Sequence, residues 1–74
     1  MKHNFCITLL YRKRENETSQ KITNIEFYGS LLQAHRAFYG LSFALPLSDC
    51  ESITLFQGEN QISRTTFTHS QKVR

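Results

Sequence analysis

Between Phe5 and Tyr11 the chain alternates without a slip. Phe5, Ile7, Leu9 and Tyr11 are large and apolar, and Cys6, Thr8 and Leu10 stand between them. A period of two is the side-chain period of a β-strand, because successive Cβ atoms point to opposite faces of a sheet. The even-numbered face is itself half apolar. That places this strand in the interior of a sheet, or beneath cover on both sides.

The rest of the chain supplies partners for it. Arg12 to Gln20 is wholly polar and reads as a hairpin loop. Lys21 to Tyr28 brings Ile22, Ile25, Phe27 and Tyr28, and the alternation slips between Ile22 and Ile25, which predicts a bulge near Thr23-Asn24. The period changes at Gly29-Ser30. Ser30 and Gln33 form a capping box, in which the hydroxyl accepts from the Gln33 amide and the Gln33 side chain reaches back. Leu31, Ala34, His35 and Phe38 then fall on one helical face, with Leu32, Arg36 and Tyr39 turned away. Gly40 suits the left-handed position that ends a helix, and Pro46 forbids continuation. A further turn of helix over Leu41–Leu45 is the alternative. Ser48-Asp49 reads as a turn. Ser52 to Phe56 is strand-like, with Ile53 and Leu55 on one face. Gln57-Gly58-Glu59-Asn60 has the composition of a tight hairpin turn, and Gln61 to Phe67 makes the returning strand.

The expected fold is therefore α+β: one antiparallel sheet in the order β-β-α-β-β, with the helix laid across a single face. Residues 1–74 make one small domain, and residues 68–74 read as a frayed basic tail. A domain this short buries only roughly 60% of the surface its unfolded chain exposes, so each large apolar side chain counts. Hydrophobic residues are 39% of the chain, with six Phe and three Tyr, enough for one core and too many for a disordered segment. There is little interior left for a deep ligand cavity. No stretch approaches the roughly 20 apolar residues of a membrane span, and the start of the chain alternates like a strand rather than a signal peptide. A cytoplasmic location is expected, with Cys6 and Cys50 as free thiols.

Catalytic and metal-binding patterns are sparse. His3, Cys6, Cys50 and His69 are the residues that could ligate zinc, but they lack the two closely spaced pairs that structural zinc sites use. A thiol nucleophile needs a base within reach, and Asp49 beside Cys50 would raise its pKa. His35 reads as a packed, hydrogen-bonded residue at the edge of the core. The three glycines, 29, 40 and 58, are isolated and form no phosphate loop. The expectation is a non-enzymatic protein with no catalytic residues, no metal and no cofactor.

Surfaces remain. The net charge of +3 is uneven: Lys2, Arg12, Lys13 and Arg14 open the chain without an acid, and Arg64, Lys72 and Arg74 close it without one. Such ends attract an acidic partner. Tyr, Phe and Arg are frequent anchors of protein interfaces. Arg12, Lys13 and Arg14 at the loop, with Leu32, Arg36 and Tyr39 on the outer side of the helix, are the candidate partner-binding residues. The partner is then a larger protein or a protein–nucleic acid complex, and an exposed terminal strand would equally admit a homodimer. The alternative is a small RNA- or DNA-binding regulator that stacks bases on Tyr11, Phe27 and Tyr28 beside the basic loop.

The order of features resembles a plan found among very small phage-borne accessory proteins, including anti-CRISPR inhibitors. An apolar first strand (Phe5–Tyr11), a polar hairpin, a second strand closing on Phe27-Tyr28, a Ser-capped helix (Ser30-Leu31-Leu32-Gln33-Ala34) and a final hairpin carry that resemblance over most of the chain. It is a likeness of architecture and has no signature motif. It implies a protein that occupies a surface of a larger bacterial defence complex. Many such inhibitors mimic DNA with acidic surfaces. This chain is mildly basic, which implies steric blocking or docking onto an acidic protein surface instead.

Overall fold

The computed structural model describes residues 2–13, 15–44 and 49–67. Four strands and one helix follow in order: β1 (His3–Tyr11), β2 (Ile22–Gly29), α1 (Leu31–Ala44), β3 (Cys50–Gln57) and β4 (Asn60–Thr66). The strands form one antiparallel sheet in the spatial order β2-β1-β3-β4. The expected α+β arrangement is the one observed. β1 lies inside the sheet, as its two-sided apolar pattern required.

β2 and β3 each run antiparallel to β1, so they run parallel to one another. Strands that run the same way need a crossover, and α1 is that crossover. It packs on β3 and β1, the two central strands. Phe5, Ile7 and Leu9 of β1, Ile53 and Leu55 of β3, Cys50, and Ala34 and Phe38 of α1 form the buried core. Tyr11, Phe27, Leu41, Ile62 and Phe67 pack partly buried against it. Among the described residues no helix lies on the other face of the sheet.

Four expectations need correction. The bulge expected near Thr23-Asn24 is absent, and β1 pairs with β2 without interruption from His3↔Gly29 to Leu10↔Ile22. Ile22 and Ile25 simply occupy opposite faces, and Thr23 takes the helix-side place across from Leu9. The irregularities lie elsewhere, at Leu10/Tyr11 against β3 and at Leu55/Phe56 against β4. Next, α1 does not stop at Gly40. It runs on to Ala44, and Ser42 Oγ donates to the Phe38 carbonyl at 2.8 Å within the continuing helix. Gly58 is the glycine with a positive φ, 62°, in the Gly58-Glu59 turn that joins β3 to β4. Leu31, expected to face the sheet, is 46% exposed, because it sits in the first turn just beyond an edge strand. Lastly, Tyr11 and Phe27 pack on the helix side, while Tyr28 follows Phe27 in β2 and points to the other face. The three aromatics expected to stack bases do not share a surface.

The capping box is present as expected. Ser30 N–H donates to Gln33 Oε1 at 2.9 Å and Gln33 N–H donates to Ser30 Oγ at 3.2 Å. Gly29 makes room for it, since a Cβ at that position would lie 2.5 Å from Gln33 Oε1. Arg14, Pro46, the Leu45–Ser48 connection and the 68–74 tail, with His69, fall outside the described residues.

A candidate docking surface on the helix

Helix positions advance by about 100° each, so residues 32, 36, 39 and 43 fall within an arc of roughly 60°. The core residues Ala34, Phe38 and Leu41 fall on the opposite side. Leu32 is 61% exposed, Tyr39 55% and Phe43 85%, and Arg36 lies exposed among them. α1 thus has two apolar stripes, one spent on the sheet and one turned to solvent. Leu32, Arg36 and Tyr39 were expected to face outward, and they do. Phe43 was missed, because Gly40 was read as the end of the helix. It continues the same spacing and is the most exposed of the large apolar side chains among the described residues.

Tyr39 is held from both sides. Its ring stacks on His35 at 5.9 Å and 19°, and meets Phe38 edge-on at 5.7 Å. One helical turn thereby links the buried ring to the exposed one. His35 is half-buried and packed as expected, but its Nδ1 has no hydrogen-bond partner among the described residues.

The basic loop lies at the end of the molecule where α1 finishes. Arg12 N–H donates to the Asp49 carbonyl at 2.7 Å, and Asp49 follows Ala44 by five residues, a span of at most about 18 Å. Arg12 and Lys13 are exposed there. α1 has no acidic residue in its first turn, and its only formally charged side chain is Arg36. Arg12 and Lys13 share this end with Glu15 and Glu17 of the loop, with Asp49, and with Glu51, which Gln20 hydrogen-bonds, so it carries charges of both signs.

Of the residues considered for metal or thiol chemistry, the described ones, His3, Cys6 and Cys50, are not assembled. His3 and Cys6 lie near the start of β1, whereas Cys50 pairs with Tyr11 at its far end, roughly 17 Å from Cys6 along the strand. Among the described residues no group of three or more His, Cys, Asp or Glu could hold an ion. Burial pushes the Cys50 thiol pKa up. Backbone hydrogen bonds at Ser52 and Leu10 oppose the shift, and the charge of Glu51 adds to it. A shallow cleft of about 520 Å³ lies beside β1 and β2, lined by Asn4, Cys6, Glu26, Tyr28 and Gly58 among others. No histidine among the described residues lines it. No helix among the described residues is long and apolar enough to cross a membrane. Compared with known protein families, curated proteins and solved structures, the chain matches none.

Proposed function

We propose that the chain is a non-enzymatic interaction module, acting in the cytoplasm, that docks on a larger protein through the outward stripe of α1. The observation that carries this reading is the alignment of Leu32, Tyr39 and Phe43 opposite the core stripe, each more than half exposed. A small domain has little apolar surface to spare. An exposed ring braced by its neighbours, as Tyr39 is by His35 and Phe38, is the kind of anchor that interfaces use most. Arg36 within the stripe, and Arg12 and Lys13 in the loop beyond the helix, supply cations for an acidic partner surface. In its most specific form, suggested by the architectural resemblance to small phage-borne inhibitors, the partner is a bacterial defence complex that the chain blocks sterically.

The test is to identify the proteins retained by the chain from its host and titrate the purified partner. Arg12→Ala, Lys13→Ala and Arg14→Ala together are expected to leave the unfolding midpoint in place and weaken binding, most strongly at low salt. Unchanged affinity would exclude the loop from the interface. A second reading, nucleic-acid binding, keeps one supporting observation: Tyr28 is 67% exposed on the helix-free face. It requires salt-dependent retention of labelled oligonucleotides. Their passage without a shift at low salt would remove it.

A further inference from the structure

Two strands close the sheet, and their edges differ. β4 is irregular against β3 and carries Arg64 in mid-strand, and a bulge and a charge are common means of keeping an edge from pairing. β2 has neither. Its register with β1 is unbroken, it contains no Pro or Lys, and six of its eight residues are exposed. Among the described residues β1 is its sole strand neighbour, so the backbone N–H and C=O groups that face away from β1 meet no strand there. Large apolar side chains gather along this same margin. Ile22, Ile25 and Tyr28 of β2 and Leu31 and Leu32 of the following turn are five of the seven exposed large hydrophobics among the described residues.

We propose that β2 pairs antiparallel with β2 of a second copy of this chain, joining two sheets into one of eight strands centred on Ile25. The sequence of the strand selects that register. Side chains meet across a pair only when they share a face, so the centre must fall on a residue. Centred on Glu26, the register sets that carboxylate against its own copy, and like charges directly opposite are destabilising. Centred on Asn24, it pairs only Ile22 to Glu26 within the strand. Centred on Ile25, it pairs the strand from Ile22 to Tyr28. Ile25 then meets the second copy's Ile25, Ile22 meets Tyr28, Thr23 meets Phe27, and Asn24 meets Glu26. Thr8 Oγ1 already donates to Asn24 Oδ1 at 2.9 Å, which leaves the Asn24 NH₂ to donate to the carboxylate. Like faces stay together about the two-fold axis, so both α1 helices lie on one side of the joined sheet. This pairing does not rest on the docking role of the α1 stripe.

Sedimentation equilibrium and amide hydrogen exchange on the full chain test it. The expected result is a species of twice the chain mass in which the β2 amides that face away from β1 are protected. Asn24→Lys, which sets an ammonium against the second copy's Glu26 at two symmetric places, should tighten the dimer. Asn24→Glu should loosen it, each by about two- to thirty-fold in Kd. Both variants lose the same bond from Thr8, so a defect in folding would move them together and a register effect moves them apart. A chain that stays monomeric at NMR concentrations, a dimer whose outward β2 amides exchange freely, or two variants that shift Kd in the same direction would each overturn the proposal.

Discussion

Phe38 is the aromatic ring of α1 that the core takes up; at 2% exposed it lies between the helix and the central strands. A domain of this size has only a few kcal/mol of stability to lose. Phe38→Ala should cost about 3–5 kcal/mol through lost burial and the cavity left behind. The expected outcome is the disappearance of a cooperative urea transition, read by near-ultraviolet circular dichroism. Cys50 makes a subtler prediction. Its thiol is fully buried and its folded pKa is raised, chiefly by desolvation. The unfolded chain therefore gives up this proton first. The stability Cys50 contributes is fully present below the unfolded thiol pKa and falls away as pH rises through the folded one. Stability measured from neutral to alkaline pH should decline in wild type, and Cys50→Ala should remove that thiol's share of the slope. An identical slope in the variant would mean that other groups account for it.

At the level of elements, the sequence was most legible where one physical demand dominated. β1 alternates because one face is buried beneath the helix and both of its edges are paired, so a slip would have exposed the core. β2 was harder, because an edge strand with few buried positions has little reason to keep its alternation. The apparent bulge was only Ile22 taking the helix-free face. The end of α1 was misread for a different reason. Gly40 marks a helix end only when the chain needs a left-handed residue there, and here it costs the helix about 1 kcal/mol, set against the partial burial of Leu41 on the core. Nothing lies within 4 Å of a Cβ built at Gly40, and the position is exposed. Gly40→Ala should therefore raise stability by about 1 kcal/mol in a urea titration. Ser30→Ala should lower it by about 1 kcal/mol by removing the cap. A destabilising Gly40→Ala would contradict a helix running unbroken to Ala44.

For the whole molecule, the α+β class followed from element order, but the strand order β2-β1-β3-β4 did not. It depends on where the crossover helix lets β3 land, and no local pattern encodes that choice. Knowledge of the order separates the two edges and shows which apolar side chains the core cannot use. Leu32, Arg36 and Tyr39 could be placed on the outer face from helical spacing alone, whereas Phe43 required the true length of the helix. The central claim is that this outer stripe serves recognition and not folding. Urea unfolding of the Leu32→Ser, Tyr39→Ser, Phe43→Ser triple variant tests it most directly. These side chains are largely exposed, so the account predicts an unfolding free energy within about 1 kcal/mol of wild type. A loss of several kcal/mol would show that these three side chains complete the core, and the docking surface would be contradicted.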